Sequence, residues 1–114
     1  MPDDNQALRY NIGKAELHWL DAWPHALKSV SAVFAYGAKK YAAYNYKKGA
    51  RFSESYACAR RHMTAWFNGE DVDAESGQHH LAHAAWNILR LLDEQQSPSP
   101  GTQDDRPHSY LEQK

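Results

Sequence analysis

The chain has 114 residues, 42% of them hydrophobic and 24% charged, with a formal net charge of −1. That length holds one domain, and the near-neutral charge excludes broad binding to duplex nucleic acid, so no nucleic-acid polymer is expected as a partner. Cys58 is the only cysteine, which excludes an intrachain disulfide framework and a cysteine-based zinc site.

Residues 1–20 carry no clear periodicity. The N-terminus MPDDNQALRYN lacks an apolar leader, and no apolar run approaches the roughly 20 residues of a membrane span. The expectation is therefore a soluble, cytoplasmic protein with no membrane partner. RYNIGK (9–14) reads as a loop or short extended arm with a glycine turn. A first helix is expected from Pro24, which suits a first helical position. Ala26, Leu27, Val30, Val33 and Phe34 then recur at helical spacing, and the pattern runs to about Tyr41. Gly37 interrupts it at a cost of about 1 kcal/mol relative to alanine. NYKKGAR (45–51) reads as a basic loop turning at Gly49.

Ser53 suits the N-cap of a second helix over 54–67. Tyr56, Ala59, Met63, Trp66 and Phe67 make its apolar face, and Gly69 supplies its stop. A third helix is expected over 78–94, with Leu81, Ala84, Ala85, Ile88, Leu91 and Leu92 at i, i+3, i+4, i+7 spacing. No strand alternation and no internal repeat is present. The predicted fold class is all-α, a small helical bundle completed by oligomerisation, because so short a chain buries only a modest core alone. Its helical domain is expected to span 1–94. Residues 95–114, with SPSPGTQDD free of aliphatic side chains, read as a flexible C-terminal tail.

The chemistry concentrates between Gly69 and Asn87. Glu70, Asp71, Asp73 and Glu75 stand just before the third helix, which opens with His79, His80 and His83. Carboxylates and imidazoles at this density suit a metal or phosphate-transfer site. At about 100° per residue, His80, His83 and Asn87 share a narrow stripe on one flank of the apolar face, at the rim of a core. A structural role competes: rim histidines bonded to loop backbone, with Asp73 or Ser76 capping the helix. Capping needs one such residue, however, and mutual repulsion among the four carboxylates calls for a cation or an arginine such as Arg60 or Arg61. His62 follows Cys58 by one turn, opposite the second helix's apolar face, and shares its side with Glu54 and Arg61. YGAKKYAAYNYKKG interleaves lysines suited to phosphate oxygens with tyrosines able to stack on a base, or is simply a helix end with snorkelling lysines. No P-loop and no GxGxxG is present.

Several motifs in order carry a family resemblance: N-x-G-K (Asn11, Gly13, Lys14), LDAWPHAL (20–27), YGAKKY (36–41), N-Y-x-K-G (Asn45 to Gly49), RHMTAW (61–66), GEDVDAESG (69–77) and HLAHAAWN (80–87). The chain resembles, over about residues 9–92, the small, mainly phage-encoded dATP/dGTP diphosphohydrolases. The resemblance implies an all-α nucleoside triphosphate pyrophosphohydrolase of MazG-like type. Such an enzyme is oligomeric and uses Mg²⁺ or Mn²⁺ to release a monophosphate and pyrophosphate, remodelling a phage's purine deoxynucleotide pool in the host cytoplasm. The MazG-like pattern places ExxE on one helix and ExxD on the next. This chain has no ExxE, and its ExxD is Glu70–Asp73.

Within that frame Glu70, Asp71, Asp73 and Glu75 are the expected metal carboxylates. Lys14, Lys39, Lys40 and Lys48 would clamp phosphates. Asn11, Asn45 or Asn87 would read base or sugar, and Tyr36 or Trp86 would stack on the base. His62, His80 or His83 would position water or donate to a phosphoryl oxygen. The missing ExxE keeps a second expectation open: a binding protein that sequesters a nucleotide signal used in host defence, without turnover. A purely structural helical oligomer would leave the polar stripe and acidic loop unexplained.

Overall fold

The structure, a computed structural model, describes residues 6–108. Among the described residues three long α-helices carry the fold: α1 (Pro24–Lys40), α2 (Phe52–Phe67) and α3 (His80–Gln96). Among the described residues the only extended pairings are two isolated bridges, so the all-α class is observed. Short 3₁₀ turns at Leu17–Ala22 and Asn45–Lys48 precede α1 and α2. α3 is central: α2 packs along it most extensively, and α1 packs on it less extensively.

The helix ends follow from local chemistry. Pro24 opens α1, and α1 continues through Gly37. α2 closes at Gly69, whose φ of 99° only glycine adopts cheaply. There the N–H of Gly69 donates to the Trp66 carbonyl and that of Glu70 to Ala65, a paired arrangement that satisfies the last carbonyls. Neither Asp73 nor Ser76 caps α3. His79 does so, its Nδ1 accepting from the N–H of Leu81. Asp73 instead accepts from the N–H groups of Glu75 and Ser76 and shapes the loop before α3.

The start of α2 corrects two expectations together. Ser53 lies inside the helix, which begins at Phe52. Its N–H donates at 2.9 Å to Asp105, whose carboxylate also accepts from the Ser53 hydroxyl. The cap therefore comes from the segment read as a tail. That segment is docked through Asp105: Gly101 donates to the Lys48 carbonyl, Gln103 to Ala50, and Phe52 to Gln103. Buried Glu94 anchors the turn by accepting from the Ser99 N–H, the Ser99 hydroxyl and the Thr102 hydroxyl, each at 2.7 Å. Burial pushes the Glu94 carboxyl up, but these donors outweigh it and hold the carboxyl below its ordinary range. Gly49 and Gly101 meet where the strap crosses; a Cβ on Gly49 would stand 2.4 Å from the Thr102 nitrogen. Low hydropathy suggested a tail, yet polar anchoring and backbone bonds dock it.

The expected apolar faces are only partly buried within one chain. Buried apolar residues are Val33, Ala59, Ala82 and Ala84, joined by the polar Ser55, His80, Asn87 and Glu94. Small side chains let α2 and α3 approach closely, and the polar stripe fills their contact. Tyr56, Met63 and Phe67 of α2 and Leu81, Ile88 and Leu92 of α3 remain exposed, Ile88 at 50% and Phe67 at 83%. By helical spacing all six lie on one side of the α2–α3 layer, away from the stripe.

Candidate functional site

The polar stripe floors a cleft of about 830 Å³ walled by α1, the Asn45–Gly49 loop, α2 and α3. Tyr36 and Lys40 come from α1, Asn45 and Lys48 from the loop, and His62 and Arg61 from α2. Asp73 and Glu75 come from the acidic loop, and His80, His83, Trp86, Asn87 and Arg90 from α3. Most residues singled out from the sequence therefore converge, although they span three separate segments.

His62 sits differently from expectation. It faces α3, not away from the core: its ring stacks on His83 at 4.3 Å and 8°, and its Nδ1 lies 2.8 Å from Nδ1 of His80. Apart from buried Ala59, the predicted apolar face of α2 is the outward one, and so the side opposite it turns inward. Nε2 of His80 bonds Oε1 of Glu70 at 3.1 Å. His83 Nε2 lies 2.7 Å from the Ser76 hydroxyl and 3.7 Å from Asp73. Burial lowers the pKa of His62, reinforced by His83 and His80. Burial also lowers that of His83, against the pull of Asp73. Both shifts favour the neutral ring, which can accept a proton.

The four loop carboxylates separate. Glu70 bonds His80, and the backbone carbonyl of Asp71 accepts from the His80 N–H at 2.8 Å. Burial raises the Asp73 carboxyl, but the Ser76 hydroxyl and the Glu75 and Ser76 N–H groups overcome it and hold the group below its ordinary range. Glu75 accepts from Lys40 at 3.0 Å, a bond that raises the lysine's pKa. Among the described residues no group of three or more His, Cys, Asp or Glu side chains is placed to hold a metal ion. The donor set does not fit a resident Mg²⁺ or Mn²⁺, which needs several convergent oxygens.

The cleft's electrostatics favour an anion. Its three carboxylates are already engaged: Glu54 by Arg51, Glu75 by Lys40, and Asp73 by its own loop. Lys48 and Arg61 make no ion pair among the described residues, and Arg90 spends one N–H on the Tyr46 carbonyl. Asn87 donates to the His83 carbonyl at 2.9 Å and contacts Cys58. Trp86 is boxed by the ring edges of Phe34 and Tyr46, each at 5.6 Å, with Arg90 over it, so Tyr36 is the freer ring. Asn11, Lys14, Lys39, Glu70 and Asp71 do not line the cleft. Arg61 and Arg90 were missed as ligand groups. Arg90 continues the His80, His83, Asn87 stripe at the next helical step, and extending the wheel by one turn finds it.

A family model described as "dATP/dGTP diphosphohydrolase, N-terminal" matches residues 4–106, nearly the whole chain. The chain belongs to this family. A curated relative, the dATP/dGTP diphosphohydrolase of Salmonella phage PMBT28, is 32% identical over 85 residues. The match covers 75% of the present chain and 28% of that relative, so the matched segment spans only a part of the phage protein's length. No solved structure matches. Family membership thus attaches to the helices, the acidic loop and the strap, all of which lie inside the matched range. No helix among the described residues is long and apolar enough to cross a membrane.

Proposed function

We propose that the cleft binds a purine deoxynucleoside triphosphate and that the chain hydrolyses it to the monophosphate and pyrophosphate. The observation that carries this is the pairing pattern of the cleft: Glu54 and Glu75 are ion-paired and Asp73 is hydrogen-bonded by its own loop, whereas Lys48 and Arg61 make no ion pair among the described residues. A polyphosphate supplies their counter-charge. Tyr36 and Asn45 border the same space and suit stacking and polar contact with the nucleoside. The relative's name supports dATP and dGTP as the substrate class, and its phage origin supports a role in remodelling the nucleotide pool of an infected cell's cytoplasm. Mg²⁺ or Mn²⁺ enters this reading as the counter-ion of the triphosphate, brought with the substrate.

Two observations favour a second reading. The loop carboxylates do not converge on a metal position, and the curated relative is more than three times longer than the matched segment. A domain that recognises the nucleotide without cleaving it satisfies both facts, and such a domain could also sequester a nucleotide signal.

The same reading includes self-association. The apolar back of α2 and α3 is a two-helix half-bundle, and a second copy supplies the missing layer.

Incubation with each dNTP and NTP plus Mg²⁺ or Mn²⁺, followed by pyrophosphate assay and calorimetric binding, separates the readings. Release from dATP or dGTP supports hydrolysis. Binding without release selects the recognition domain, and neither binding nor release removes both. Arg61→Glu is expected to weaken nucleotide binding ten- to a hundredfold, the loss of a charge-assisted phosphate contact. Its helical content should be unchanged.

A further inference from the structure

We propose that Glu70, His80 and His62 form a proton relay. Its inner end, Nε2 of His62, is the general base for the water that attacks a nucleotide phosphate in the cleft. This rests on the hydrolytic reading above and adds the base, its tautomer and the route of the proton.

The argument is one of donor and acceptor bookkeeping. Glu70 is an acceptor-only carboxylate, so the 3.1 Å bond to His80 requires the imidazole proton on His80 Nε2. A neutral His80 then presents a lone pair at Nδ1. The partner at 2.8 Å is Nδ1 of His62, which must donate and therefore carries that ring's proton. The remaining nitrogen, His62 Nε2, is left with a lone pair. It takes no hydrogen bond among the described residues, and His62 lines the cleft. A carboxylate on the loop thus fixes the tautomer of a ring on a different helix, two bonds away.

The surroundings hold this chain in register. His80 is buried, and its N–H is tied to the Asp71 carbonyl, so its ring has little freedom. The His62 ring is pinned by stacking on His83, which faces the Ser76 hydroxyl. The outer end differs: the Glu70 side chain is 56% exposed, so a proton arriving there leaves to solvent.

The step balances as follows. An O–H bond of water breaks and its proton forms an N–H bond at His62 Nε2. The oxygen forms a new bond to phosphorus, and the phosphoanhydride P–O bond breaks with its electron pair leaving on the departing phosphate. The imidazolium passes its Nδ1 proton to His80 Nδ1, and His80 passes its Nε2 proton to Glu70. His62 is the catalytic group in this scheme, and His80 and Glu70 are positioning residues.

Long-range ¹H–¹⁵N spectra of the ¹⁵N-labelled chain read the tautomers directly, with no need for turnover. The expected result is His62 protonated at Nδ1 and His80 at Nε2, with Glu70→Ala mixing the His62 tautomers while helical content stays intact. His62 protonated at Nε2, or a His62 signal indifferent to Glu70→Ala, overturns the relay. For turnover, His62→Asn keeps an N–H toward His80 and removes Nε2. Loss of about 10²–10⁴-fold in kcat with little change in KM is the size expected for a general base. A kcat within threefold of the wild type removes His62 from that role. A wild type that releases no pyrophosphate ends the hydrolytic reading by itself, and the tautomers then decide whether the hydrogen-bonded chain exists.

Discussion

The two sides of the α2–α3 layer differ in kind. One side carries His62, His80, His83 and Asn87, interlocked by ring stacking and hydrogen bonds and turned toward a cleft. The other carries Tyr56, Met63, Phe67, Leu81, Ile88 and Leu92, without a covering layer among the described residues. Ordinary bundles bury their aliphatic stripe first. Here the chain spends its own interhelical contact on polar chemistry, and leaves the aliphatic stripe to be covered by something else. Stability and function are therefore divided between opposite faces, and substitutions on the two faces should have different signatures.

The strongest test of that division is His80→Ala. The substitution empties a buried position and strips the partners from both His62 Nδ1 and Glu70. A lost buried bond together with a cavity costs about 3 kcal/mol. Urea unfolding followed by circular dichroism should show a lower midpoint of that size. A midpoint unchanged within error would mean that the histidine cluster contributes nothing to the fold.

On the opposite face Ile88→Asp should leave the chain's own packing nearly untouched, because Ile88 is half-exposed already. Its effect is expected in assembly. Light scattering of the wild type should report more than one copy, and the variant should report one. Equal masses for the two proteins would break the contrast, since the apolar back would then have no second copy to meet.

Acidity probes the cleft face and the Glu94 anchor of the strap. The lowered pKa values of His62 and His83 mean that the unfolded chain binds protons more readily than the folded one. Their contribution is complete above the ordinary histidine value of about 6.5. It is lost as pH falls from there through the folded values. Asp73, Glu75 and Arg61 also face these rings. The carboxyls of Asp73 and Glu94 are held low, so their loss begins only in the acid range below about 4. Thermal melts should thus show a first drop in Tm just below neutrality and a second well into acid. The first drop should shrink in a His62→Gln variant; if it does not, His62 is not its source.

How much of this was legible beforehand depends on what each residue type reports. Helix positions were readable because Pro24, Gly69 and the aliphatic spacing of α3 are local signals. The stripe His80, His83 and Asn87 was readable for the same reason. Periodicity, however, tells which side of a helix is apolar, not which side the chain buries against itself. That is why His62 was placed outward although it packs on His83, and why Leu81 and Ile88 were placed inside. The four carboxylates looked like one cluster because sequence shows adjacency, and the turn from Asp71 to His79 sends their side chains to different partners. Arg61 reads from the sequence only as a partner for the loop carboxylates, and Arg90 carries no signal, because a single arginine has no pattern until the cleft gathers it with others.

The smallest effect concerns the segment that composition marked as a tail. Asp105 supplies from a distance the N-terminal cap that α2 lacks locally, since Arg51 makes no side-chain cap. Hydrogen bonds from Ser53 hold the Asp105 carboxyl below its ordinary range. The bond is screened by solvent, so Asp105→Ala should loosen the start of α2 only slightly, as the loss of a cap does. Hydrogen exchange at the Ser53 and Phe52 amides is the measurement, because both depend on the strap. Their exchange should quicken in the variant while the amides of α3 do not change. The distinction matters for the cleft: the strap also holds Lys48 and Gly49 through the Gly101 N–H and the tight Gly49 crossing. If Asp105→Ala loosens α2 and also weakens nucleotide binding, the strap belongs to the cleft's architecture. If it loosens α2 alone, the bond to Lys48 suffices to place the cation, and the cap serves the helix only.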